Sequence, residues 1–78
     1  MTLEEAFGQV LRDIRKNKQI NQEKLAADSC LDRSFISQLE HGRKQPSLST
    51  IFQIAKALDI SPTKIIGSVE KIVLAKKL

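Results

Sequence analysis

Four hydrogen-bonding side chains carry the most telling spacing in this chain: Arg33, Ser34, Ser37 and Gln38. Residues three and four apart share one face of a helix, so all four would project together. A guanidinium can donate two parallel bonds to guanine O6 and N7, and a glutamine amide can pair with adenine N7 and N6. The two serine hydroxyls are short and suit a base edge or a phosphate. Such a face can read base pairs in the DNA major groove; the plainer alternative is an ordinary solvated face. Arg43 and Lys44 follow directly, in the stretch Gly42-Arg43-Lys44-Gln45-Pro46. Cations there suit phosphates, which position a protein without reading sequence. Catalytic chemistry is poorly provided for. The three glycines are scattered, with no Walker-type loop. One histidine and one cysteine cannot make a four-ligand zinc site. No enzyme, no metal and no cofactor is expected.

The positioning elements are read from Asn21 to Gly42. Asn21 is a good N-cap, because its side-chain oxygen can accept from free N–H groups of a first turn. Leu25 and Ala26 put apolar groups on one face, Asp28-Ser29-Cys30 breaks the pattern, and Leu31 is apolar again. Asp32 is a second N-cap candidate. Phe35, Ile36 and Leu39 then recur at helical spacing, with Ile36 and Leu39 the inward pair and Phe35 expected to pack at the core edge. Gly42 stands where helices often end on a left-handed residue. Helix, short turn and second helix make a helix-turn-helix, whose second helix can enter the major groove.

The ordered set Ile20-Asn21-Gln22, Leu25-Ala26, Ile36-Ser37, Leu39-Glu40, Gly42, Pro46-Ser47, Ile54-Ala55 and Ala57-Leu58 resembles the Cro/cI-like (XRE-type) helix-turn-helix DNA-binding family. The resemblance covers about residues 3 to 66. Within the family, LDRSFIS and the short length look most like controller proteins of restriction–modification systems. It implies an all-α, five-helix lambda-repressor-like domain that binds double-stranded DNA as a homodimer and regulates transcription. It also implies an ion pair between Arg15 and Glu40, and a phosphate contact for Gln22. Contact with RNA polymerase would follow if the protein activates. Many members have Gly where this chain has Cys30, so a left-handed Cys30 would be strained. The same fold serves partner-binding proteins such as antitoxins, which is the alternative function.

The remaining elements follow local rules. Thr2 to Asn17 is expected as the first helix, with capping-box spacing at Thr2 and Glu5 and an apolar stripe of Leu3, Phe7, Val10, Leu11 and Ile14. Lys16 and Lys18 suit its solvated end. His41 suits the C-terminal end of the recognition helix, as a cap or a weak phosphate contact. Ser47 should cap a fourth helix to about Leu58, with Leu48, Ile51, Ile54, Ala55 and Leu58 mostly core. Ser61-Pro62 starts a fifth, to Ile66, which Gly67 interrupts. Ser68 would cap a separate tail helix. The chain thus divides into a DNA-binding domain, residues 1–66, and a helical tail, residues 67–78. Ile65, Ile66, Val69, Ile72 and Val73 exceed what a five-helix core needs, so they are expected to dimerise.

Composition sets the outer bounds. Seventy-eight residues allow one domain, which buries only about 60–65% of its unfolded surface. A lone Cys30 cannot form an internal disulfide, and it suits a reducing compartment, with a small partly buried role. Net charge is +4 and pI about 9.5, compatible with nucleic acid. No apolar run approaches a membrane span and no secretory pattern opens the chain, so cytoplasmic residence is expected. Three Phe with no Tyr or Trp make a stacking platform for single strands a poor fit.

Overall fold

Four of the five helices start where a side chain accepts from the first turn. Thr2 Oγ1 accepts from the Glu5 N–H (3.1 Å) while Glu5 Oε1 accepts from the Thr2 N–H (2.7 Å), a complete capping box. Asn21 caps Lys24, and Ser47 caps Thr50. In the computed structural model, which describes residues 1–76, the helices are α1 Leu3–Asn17, α2 Gln22–Ser29, α3 Arg33–Glu40, α4 Leu48–Leu58 and α5 Pro62–Lys76. No strand occurs among the described residues. Asp32 precedes α3 in extended backbone, but its side chain makes no capping bond.

Four helices stop in the same way. After each, two N–H groups turn back onto the last carbonyls around one left-handed residue. For α1, Gln19 bonds to Lys16 and Ile20 to Arg15; for α2, Cys30 to Ala27 and Leu31 to Ala26. For α3, Gly42 bonds to Leu39 and Arg43 to Gln38; for α4, Asp59 to Lys56 and Ile60 to Ala55. Three of the four left-handed residues are not glycine: Gln19, Cys30 and Asp59.

Packing joins α1 to α3 and α5, α2 to α3 and α4, and α4 to α5. Leu11, Leu25, Ile36, Leu39, Ile54, Leu58 and Ile65 are the large side chains fully removed from solvent. Each contributes about 1.5–3 kcal/mol by burial. Gly8 lets α1 approach α3: a Cβ there would run into the Leu39 carbonyl oxygen and lie 2.7 Å from that of Glu40.

The C-terminal region differs from the sequence reading. α5 runs unbroken through Gly67, so a boundary between residues 66 and 67 falls inside a helix. One glycine costs about 1 kcal/mol, and Ile65 and Val69, buried on either side of it, outweigh that. Ser68 does not cap; its hydroxyl donates to the Lys64 carbonyl (3.1 Å) within the helix. The expected continuation through Lys77 and Leu78 lies outside the described residues. Two of the apolar residues assigned to dimerisation are core: Ile65 is 1% exposed and Val69 6%. Ile72 and Val73 are half-buried against that core, and Ile66 alone of the five is exposed. Leu3 and Leu48, read as inward-facing, stand out in solvent. Further along the same helices Ala6, Phe7 and Thr50 are buried and Ile51 is half-buried.

Candidate nucleic-acid interface

The turn between α2 and α3 comprises Cys30, Leu31 and Asp32. Cys30 holds φ 60° and ψ 37°, left-handed backbone that glycine adopts without a steric cost. Its side chain is exposed, not partly buried. Leu31 and Phe35 pack at the core edge. Ser29, buried at the end of α2, donates to the Leu25 carbonyl (2.6 Å). Its own carbonyl accepts from Gln53 Nε2 (3.1 Å), so α4 braces the turn.

Behind α3 lies a buried ion pair. Arg15 Nε donates to Glu40 Oε2 (2.6 Å) and Nη2 to Oε1 (3.0 Å), a two-point clasp. Arg15 Nη1 also donates to the Ile20 carbonyl (2.8 Å), reaching the α1–α2 link. Both side chains are largely withdrawn from water. The bond to Glu40 pushes the Arg15 guanidinium pKa further up, against the opposing effect of burial. One residue of α1 thereby fixes the last residue of α3.

Gln22 belongs to this cluster. Its Nε2 donates to Glu40 Oε1 (3.1 Å) and the residue is half-buried. The side chain expected at a phosphate thus gives its amide donor to Glu40, a third side-chain hydrogen bond to that carboxylate. Among the N–H groups of the first turn of α2, that of Lys24 is already bonded to Asn21 Oδ1 (2.8 Å).

On the outer face of α3, Arg33, Ser34 and Gln38 are exposed and Ser37 is half-buried. Arg33 Nε lies 3.3 Å from Glu23 Oε1, a partner that spacing along one helix does not reveal. His41 Nδ1 donates to the Ser37 carbonyl (2.8 Å), capping α3 as a side chain can at a helix C-terminus. The Arg43 N–H donates to the Gln38 carbonyl (2.9 Å), which anchors the following loop to the recognition helix. Arg43 and Lys44 are exposed there.

A separate apolar groove runs between α4 and α5, lined by Leu48, Ile51, Phe52, Pro62, Ile66 and Gly67. Leu48 is 72% exposed, Phe52 55% and Ile66 45%. No recognition-helix residue lines it. Among the described residues no group of His, Cys, Asp and Glu is placed to hold a metal, and no helix is long and apolar enough to cross a membrane.

A short helix crossed behind a solvent-facing helix, joined by a tight turn and clasped to a third, defines a helix-turn-helix protein. The chain belongs to the helix-turn-helix family, whose model matches residues 11–65. The Cro/cI-like (XRE-type) resemblance read from Ile20 to Leu58 agrees with this. Among its relatives is the control protein C.BamHI of Bacillus amyloliquefaciens, 46% identical over 57 residues, covering 72% of this chain and 70% of that one. The crystal structure of the restriction–modification controller protein C.AhdI from Aeromonas hydrophila superposes with a TM-score of 0.78 at 44% identity, over 80% of this chain and 94% of that chain. The controller protein C.Esp1396I, solved as a tetramer in complex with its natural 35 base-pair operator, gives 0.85 at 30% identity, over 95% and 97%. All three are control or controller proteins by name, and C.Esp1396I is the one solved on operator DNA.

Proposed function

We propose that this chain is a sequence-specific regulator of transcription that binds double-stranded DNA as a homodimer, as a cytoplasmic controller of a restriction–modification system. One observation carries the reading: Arg33, Ser34 and Gln38 stand exposed on a helix whose end is clasped from behind by Arg15. Arg33, Ser34, Ser37 and Gln38 read bases. Arg43, Lys44 and the start of α2 hold phosphates. The kinship with C.BamHI, C.AhdI and the operator-bound C.Esp1396I supports the assignment.

Dimerisation falls to the exposed groove rather than to Ile65 and Val69. Leu48, Phe52 and Ile66 leave an apolar surface uncovered, and a second copy of the chain covers it. Leu74, 71% exposed, continues the α5 stripe of Ile66, Gly67 and Glu70 at helical spacing. Phe52→Lys should therefore leave the monomer folded and weaken both self-association and operator binding. Two recognition helices related by a two-fold axis place half-site centres about 34 Å apart, so the operator is an inverted repeat. Three or four phosphate contacts per protomer give a salt slope of roughly −5 to −7.

Selection of bound duplexes from a random pool at physiological salt, with the stoichiometry of the bound species, tests this reading. An enriched inverted repeat carrying two chains per site is expected, or four on tandem sites. Recovery of DNA without shared sequence would refute base reading and favour a partner-binding role of the antitoxin kind.

A further inference from the structure

Arg33 opens α3 and Glu23 is the second residue of α2, so their ion pair bridges the two helices of the motif outside the core. The side chains are 60% and 69% exposed, and a pair so open to water contributes little to folding. Glu23 also suits a helix start, where negative charge is favoured. That alone does not account for its reach to Arg33, ten residues along the chain. Moreover, a carboxylate among elements that face phosphates opposes binding in general.

The geometry of the guanidinium supplies a use. The contact engages Nε, on one edge of the planar group. The Nη1 and Nη2 donors on its far edge remain available, and they form the parallel pair that guanine O6 and N7 require. An untethered arginine samples many rotamers, and fixing one at binding has an entropic cost. An untethered Arg33 can also swing onto a phosphate, a contact that reads no sequence. Glu23 satisfies the Nε edge beforehand and competes with phosphate for the same cation.

We propose that Glu23 is a positioning residue for sequence discrimination: it holds the Arg33 guanidinium so that its Nη edge meets a guanine and not the DNA backbone. This rests on the base-reading role of Arg33, and its test separates the two. Affinities at about 150 mM salt are measured for the duplex recovered by selection, its single-base-pair variants and an unrelated duplex. The proteins are wild type, Glu23→Gln, Arg33→Ala and the double variant, each first checked for an unchanged thermal midpoint.

Arg33→Ala should abolish discrimination at one base pair per half-site. Glu23→Gln should lower discrimination at that same base pair by about threefold to fivefold. It should also raise affinity for the unrelated duplex by roughly twofold, as one repulsive charge is lost. In the Arg33→Ala background, Glu23→Gln should leave discrimination at that position unchanged. An equal shift on every duplex would make Glu23 a bulk charge and overturn the proposal. So would an identical loss of discrimination with and without Arg33. If Arg33→Ala costs discrimination nowhere, the base-reading role fails and Glu23 has nothing to position. If Arg33→Ala costs discrimination and Glu23→Gln does not, the positioning role fails on its own.

Discussion

Arg15→Ala removes three hydrogen bonds at once: two to Glu40 and one to the Ile20 carbonyl. It leaves Glu40, 4% exposed, with the Gln22 amide as its remaining side-chain donor. Breaking a buried pair from one side costs about 3–5 kcal/mol, because the surviving charge is uncompensated. A domain of this size holds only about 4–12 kcal/mol in all. The variant should therefore lose between about a quarter and all of its stability, a drop of more than about 12 °C in Tm. Urea unfolding followed by the helical circular dichroism signal measures it, with the slope expected to stay constant. Removing both charges, as Arg15→Met with Glu40→Leu, should recover most of the loss, since apolar replacement of a buried pair is often neutral or better. A single-variant midpoint equal to wild type would refute the clasp. A double variant as unstable as the single would show that packing, not uncompensated charge, carries the effect. The sign with pH is fixed by the raised Arg15 pKa. Its contribution is complete below the ordinary arginine value and is lost only as pH climbs through the still higher folded value. The clasp thus contributes evenly, on the arginine side, across the physiological range.

Gly67→Ala and Gly8→Ala should have opposite signs in thermal melts of dilute protein. At Gly67 a Cβ meets nothing within 4 Å, so alanine should stabilise α5 by about 0.5–1 kcal/mol. At Gly8 it meets two backbone oxygens, and forcing α1 from α3 should cost about 1–3 kcal/mol, more than the helix gains. A stabilising Gly8→Ala would refute the close approach. Cys30→Gly should raise stability by about 0.5–1 kcal/mol in urea, left-handed strain relieved outweighing the added freedom of the unfolded chain; a loss would mean that Cys30 is unstrained. Glu5 has its carboxyl pKa lowered, chiefly by its hydrogen bond from the Thr2 backbone and then by that from the Thr2 side chain. The box therefore stabilises above the unfolded glutamate value, about 4.3, and fades as pH falls through the lower folded value. In an NMR titration Thr2→Ala, which keeps the backbone donor and removes the hydroxyl, should move Glu5 part of the way back toward ordinary behaviour, and an unmoved Glu5 would remove the Thr2 hydroxyl from the explanation.

Legibility followed range. Capping boxes and N-caps act over three residues, so Thr2, Asn21, Ser47 and Ser61 marked helix starts that the fold uses. The left-handed turn at Cys30 was visible because a resemblance singled out one position. Gln19 and Asp59 turn the same way with no glycine to mark them. They are held there by paired backbone bonds and by the packing of Ile20 and Ile60 against the core. Gly67 misled for the converse reason: a local breaker is weak against Ile65 and Val69, whose burial only the α1–α5 packing reveals.

For the interface, periodicity alone placed Arg33, Ser34, Ser37 and Gln38 on one face, since 100° per residue is a property of the helix and not of its surroundings. Tertiary packing decided what each side chain does from there. It turned Gln22 inward to Glu40, brought Glu23 to Arg33, and set Gln53 on the carbonyl of Ser29. It also exposed Phe52 and Leu48 while burying Val69. Those outcomes depend on how helices cross. A hydrogen bond or a buried face between residues 10 to 25 positions apart exists only once the crossing is made. Hydrophobic period and caps dictated where the helices begin and an outward polar face; the crossing of α1 behind α3, close enough to exclude a Cβ at Gly8, dictated the clasp that holds that face in place.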